Sequence, residues 1–150
     1  MDQIILNRNK NINRGYRKLA IWQEAIELYV FVKTKLRGLN DLSYKVKDQI
    51  DGSAFSCHSN IAEGYSRRGL KENIQFNTIA LASLSENYSQ LYALYECGNI
   101  ERSWFDQYDA KLYSLENKLI KMNRILIEKM KKNEWKNDYI IKEIISQYKP

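Results

Sequence analysis

Residues 102–131, RSWFDQYDAKLYSLENKLIKMNRILIEKMK, carry the pattern from which the fold is read. Phe105, Tyr108, Leu112, Leu115, Leu119, Met122 and Leu126 recur at alternating spacings of three and four. With 3.6 residues per turn, an α-helix gathers all of these side chains onto one face. The stretch before it, 70–95, repeats the spacing through Ile74, Asn77, Leu81, Leu84, Tyr88, Leu91 and Tyr95. A seven-residue repeat sustained over two neighbouring segments implies left-handed, knobs-into-holes packing of nearly antiparallel helices.

Working outward, a first helix is expected from Tyr16 to Leu36. Its apolar stripe is Leu19, Trp22, Ile26, Tyr29 and Leu36, widened by a second through Ala25, Leu28 and Val32. Gly38 is placed to end it. Asn40 or Asp41 is the expected cap of a second helix, from about Leu42 to Ala62, with Val46, Ile50, Ala54, Cys57 and Ile61 facing inward. Its latter half is rich in small residues, Gly52, Ser53, Ala54, Ser56, Ser59 and Ala62, which let another helix approach closely. Gly64 is the expected stop. Short connections around 37–41, 65–69 and 97–101 enforce up-down-up-down order and argue against one long parallel coiled coil. The expected fold is therefore all-α: an up-and-down four-helix bundle over 16–132. It is preceded by a flexible basic segment, 1–15, and followed by a basic amphipathic tail, 133–150.

Composition agrees. The chain has 150 residues, 44% of them hydrophobic, one proline and six glycines. That is one ordinary domain with a core of its own and few breaks in its helices. No apolar run approaches the ~20 residues that cross a bilayer. The opening residues do not read as a signal peptide, because the apolar patch Ile4–Leu6 comes before the positive charge rather than after it. Cys57 and Cys97 form no disulfide framework, and a reducing, cytoplasmic setting is the economical expectation. The net charge of +6 is unevenly placed: residues 1–18 carry +4, residues 121–150 carry +4, and the body between them is slightly acidic. Basic ends flanking a nearly neutral body suit a polyanionic partner, and they also serve solubility alone.

Candidate chemistry is sparse. Cys57 and His58 are adjacent, and neighbours on a helix point about 100° apart, so they do not form a nucleophile–base pair. A di-metal bundle site needs Glu-x-x-His motifs on two helices, and the chain has one histidine with no such motif. Zinc spacing and a phosphate-cradling glycine loop are also missing, so no enzyme activity, metal or cofactor is expected. Arg67, Arg68 and Lys71 form a basic cluster at the turn between the second and third helices. Lys129, Lys131, Lys132 and Lys136 lie in and beyond the last helix, beside Trp135 and Tyr139. Such a mixture of charge and aromatic surface is what sequence-independent binders of single strands use. A solvated turn and a helix-dipole complement are the plain structural readings of the same residues.

The segment Ser56-Cys57-His58-Ser59-Asn60-Ile61-Ala62-Glu63-Gly64-Tyr65-Ser66-Arg67-Arg68 resembles the signature of a bacterial four-helix bundle family. That family includes proteins encoded in intervening sequences of 23S ribosomal RNA genes and the accessory variability determinant of diversity-generating retroelements. Leu19-Ala20-Ile21-Trp22-Gln23-Glu24-Ala25 is similar to the family's opening motif. Phe76 through Leu91, containing Glu86, is similar to its third helix. The signature residues are thus Trp22, Asn60, Ile61, Ala62, Glu63, Gly64 and Glu86. The sequence departs from the family at His58, where proline is usual, and at Ala82, where glycine is usual. The resemblance implies a homopentameric ring. For the retroelement members it also implies nucleic-acid binding and a reverse-transcriptase partner. Two functions are carried forward: an oligomeric bundle that binds RNA or single-stranded DNA by basic surfaces, and a protein-interaction scaffold without nucleic-acid specificity.

Overall fold

Local side-chain caps start the first elements. The computed structural model describes residues 1–132, all of whose regular structure is helical. Asp2 accepts hydrogen bonds from the backbone N–H groups of Ile4 and Ile5 at 2.9 and 3.1 Å, opening α1 (Gln3–Asn7). Asn11 does the same for Arg14 at 3.1 Å and begins a 3₁₀ turn, Ile12–Lys18. The segment expected to be a flexible arm thus carries α1 and most of this turn. The first long helix, α2 (Ala20–Gly38), starts four residues later than expected because the 3₁₀ turn occupies the positions before it.

Three more helices follow: α3 (Tyr44–Arg67), α4 (Leu70–Glu96) and α5 (Arg102–Lys131). Ser43, rather than Asn40 or Asp41, caps α3 by accepting from the Val46 N–H. Gly64 does not end this helix. It continues to Arg67 and stops where Arg68 turns left-handed, at φ 61°. Gly64 is buried inside the helix because a Cβ there would lie 2.7 Å from Cβ of Phe76 and 3.4 Å from the Asn73 carbonyl oxygen. Its missing side chain is the space that lets α4 lie against α3.

Cross-helix contacts show how the elements run. Lys33 pairs with Asp51 and Tyr29 with Phe55; Ser53 bonds Gln90 and Ser56 bonds Ser83; Asn87 bonds Tyr108 and Asn77 bonds Asn123; Lys35 pairs with Glu101 and Lys118 with Glu24. In each set, numbers rise on one helix while they fall on its neighbour, and α2 also meets α5.

The core is built from one stripe per helix. On α5, Phe105, Tyr108, Leu112, Leu115, Leu119 and Leu126 are buried as expected, with Met122 half-buried. On α2 the two stripes exchange rank: Ile21, Ala25, Leu28, Val32 and Leu36 are buried, whereas Leu19, Trp22 and Tyr29 pack partly buried at the margin. Val46, expected inward, is 40% exposed in the first turn of α3. Of the small residues of α3, Ser53 and Ser56 bond α4 within the same chain and form a polar seam, whereas Gly52 is exposed with nothing within 4 Å of a Cβ. Among the described residues, Ser53, Asn77, Ser83 and Asn87 are the buried polar ones.

Candidate nucleic-acid interface

The chemical groups of α3 point in different directions. Cys57 is fully buried on the core stripe, and burial pushes its thiol up to about 12, far from a nucleophile's range. His58 lies on the side facing α2, its ring edge-on to Phe55 (4.6 Å) and Tyr29 (5.5 Å). Its Nε2 is buried without a hydrogen-bond partner, and desolvation holds its pKa below the ordinary histidine value. Among the described residues no three His, Cys, Asp or Glu side chains are grouped to hold a metal ion.

The signature residues support packing. Trp22 sits edge-on to Tyr16 at 5.2 Å, and Tyr16 in turn meets Tyr65 at 6.4 Å, fastening the 3₁₀ turn across α2 and α3. Asn60 donates to the Ser56 carbonyl (2.8 Å) and Ser56 hydroxyl (2.9 Å) one turn back. Ile61 is a core residue, and Ala62 is half-buried beside it. Glu86 is the exposed end of a hydrogen-bonded chain that runs inward. Gln90 donates to Glu86 (3.1 Å), Ser53 to Gln90 (2.7 Å), Asn87 to Ser53 (2.9 Å), and Tyr108 to Asn87 (2.8 Å). Nothing in the sequence periodicity marks this chain, because Ser53, Asn87 and Gln90 interrupt apolar stripes rather than extend them.

The basic residues converge. Asn77 of α4 donates to Asn123 of α5 at 3.0 Å, which places the start of α4 and the end of α5 at one end of the bundle. The end of α3 leads directly into α4, and Tyr65 carries the 3₁₀ turn against that same end. Lys71, Lys129, Lys131 and Lys132 are all exposed there. Arg67 is less available: it donates to Glu63 at 2.7 Å, lies 3.9 Å from Glu72 and sits 5.3 Å over the Phe76 ring. Glu63, first among its neighbours, holds the Arg67 pKa above the ordinary arginine value. Arg68 closes α3 in its left-handed conformation. Lys136, Trp135 and Tyr139 lie outside the described residues.

Arg8, Lys10, Arg14, Arg17 and Lys18, not singled out as site residues from the sequence, are brought by the fold to the same end. Their signal was present as the +4 charge of residues 1–18, in which Asp2 is the one acid. Among the described residues none of these five forms an ion pair. Positive charge from residues 1–18 and from the last turn of α5 thus lies at one end of the bundle, where fields add and phosphate contacts would be sequence-independent. Among the described residues no helix is long and apolar enough to cross a membrane.

A family model described as 23S rRNA-intervening sequence protein matches residues 17–121, covering α2, α3, α4 and most of α5. No curated protein matches the chain.

Proposed function

The chain belongs to the 23S rRNA-intervening sequence protein family, and from that premise we propose that it acts in the cytoplasm as a non-enzymatic, oligomeric bundle that binds nucleic acid, RNA or single-stranded DNA, by its basic end. In this reading the chain is an up-and-down four-helix bundle with left-handed packing, and five copies form a ring that repeats the basic end once per subunit. The observation that carries it is the convergence of Lys71, Lys129, Lys131 and Lys132 with the five cations of the N-terminal segment on one end. Each phosphate contact releases counterions, so the logarithm of affinity should fall with the logarithm of salt by about 0.7 per contact on a single strand. The test is size-exclusion chromatography with light scattering, with and without a short single-stranded RNA, followed by a salt titration. A pentamer-sized species that shifts with RNA at low salt is expected. Replacing Lys71, Lys129, Lys131 and Lys132 together by glutamine should lower the salt slope by about 3. Salt-independent binding, or no binding at low salt, would overturn the reading.

A second reading, a protein-interaction scaffold for a partner such as a reverse transcriptase, is favoured by a groove of about 570 Å³ between α2 and α5. Val30, Phe31 and Trp104 line it, and Val30 is 55% exposed. Phe31 and Trp104 stack at 4.9 Å, a flat apolar surface rimmed by Lys35, Glu101 and Lys111. A protein partner that stays bound at high salt and is released by Val30→Lys would favour the scaffold.

A further inference from the structure

The N-terminal segment does more than add charge; its geometry holds cations in fixed positions. Arg17 donates through Nη2 to the carbonyls of Arg8 (2.9 Å) and Asn9 (3.3 Å), and through Nη1 to that of Ile5 (3.4 Å). Nη1 of Arg14 donates to the same Asn9 carbonyl at 3.3 Å. Asn9 adopts a left-handed φ of 48°, a conformation asparagine tolerates better than most residues. Its carbonyl is thereby shared by two guanidinium groups, which lie side by side. Their partners are neutral, so the bonds fix their positions without cancelling their charge. Two adjacent cations with no carboxylate in ion-pair contact repel each other, and an anion between or beside them relieves that repulsion.

The same residues line a cleft of about 350 Å³ between this segment and α3, with Lys10, Arg14, Arg17, Lys18, Gly15 and Tyr65 among its walls. Its size falls within the range of small-molecule sites and exceeds what a bare inorganic anion needs. Tyr65 gives it an aromatic wall. Gly15 fits beneath that wall only because it lacks a side chain: a Cβ there would lie 2.1 Å from the Tyr65 hydroxyl oxygen.

We propose that this cleft is a pocket for the phosphomonoester of a nucleotide, supplied by a free nucleotide or by the phosphorylated end of a strand. The proposal rests on the reading of the basic end as a nucleic-acid surface and names one specific subsite within it. A terminal phosphate carries close to two negative charges and three acceptor oxygens, whereas a diester within a strand carries one charge. Clustered, preorganised cations therefore discriminate between them. The nucleoside ring stacks on the Tyr65 side of the cleft, a contact that tolerates any base.

The experiment compares three probes at low salt on the full chain: adenosine monophosphate, a short RNA with a 5′-phosphate, and the same RNA with a 5′-hydroxyl. The expected result is about tenfold tighter binding of the phosphorylated RNA, as charge-assisted hydrogen bonds to one extra dianion should give. Competition by adenosine monophosphate would support the pocket and assign it to free nucleotides as well. Discrimination between the RNAs without such competition would support it as a strand-end site. Lys10→Gln with Lys18→Gln, both exposed and outside the hydrogen bonds that shape the segment, should abolish the discrimination, while the hydroxyl RNA loses only the two general phosphate contacts, a drop of about 1.4 in its salt slope. Equal binding of both RNAs with no binding of adenosine monophosphate overturns the pocket and leaves the broader surface standing. Binding of adenosine monophosphate with neither RNA supports the pocket and removes the nucleic-acid surface.

Discussion

The bond between Tyr108 and Asn87 gives a quantitative test of the seam between α3, α4 and α5. Both side chains are fully buried, and the Tyr108 hydroxyl donates to Asn87 Oδ1 at 2.8 Å. Asn87 Nδ2 also donates to Ser53 (2.9 Å) and to the Ile50 carbonyl (3.0 Å). Asn87→Ala leaves a buried hydroxyl without an acceptor, about 1–3 kcal/mol, and removes further bonds and volume, for a total of about 3 kcal/mol. Tyr108→Phe removes one oxygen and leaves Asn87 Oδ1 without its donor, costing about 1–2 kcal/mol. In the double variant neither orphan remains from this pair, so the total should fall short of the sum of the singles by about 1–2 kcal/mol. The assay is urea unfolding at one fixed protein concentration, followed by far-ultraviolet circular dichroism, with similar m-values required throughout. Additivity within about 0.5 kcal/mol would refute the claim that these two groups satisfy each other in the folded state.

Three further outcomes are expected. Gly64→Ala should destabilise by about 1–3 kcal/mol through overpacking against Phe76, read by the same urea titration, and Gly52→Ala should not, because nothing lies within 4 Å of a Cβ there. His58 has a folded-state pKa below its unfolded value, so the unfolded chain takes up the proton first as pH falls; stability should decline below about pH 6.5 and level off below the folded pKa, and this component should vanish in His58→Leu when thermal melts are compared from pH 7.5 to 5.5. Arg67→Gln should change RNA affinity by less than about twofold at low salt, because Glu63 and Glu72 already engage that guanidinium, whereas the quadruple lysine variant binds more weakly and with the shallower salt dependence given above.

The long helices were legible because burial along them is periodic. The stripe Phe105, Tyr108, Leu112, Leu115, Leu119 and Leu126 is the buried face of α5, whose limits match those read from the sequence. Helix ends were less legible, since a cap depends on local backbone geometry: Ser43 competes with Asn40 and Asp41 on nearly equal chemical terms. Gly64 was misread for a related reason. A glycine near a helix end signals either a stop or a close approach, and only the position of Phe76 on another helix decides between them. The inward chain from Glu86 to Tyr108 was invisible for want of any period, because it joins three helices through residues far apart in sequence.

What the sequence by itself determined was that four amphipathic helices exist, where their apolar faces lie and how much charge each segment carries, since all three are properties of neighbours along the chain. What only the tertiary structure decided was which distant groups meet. The 3₁₀ turn at Tyr65, the end of α5 at the start of α4, and the two guanidiniums at the Asn9 carbonyl all depend on helix packing. Charge along a chain is additive and can be counted, whereas a binding surface depends on distance, and helix packing brings residues 1–18 and the last turn of α5 to the same end of the bundle.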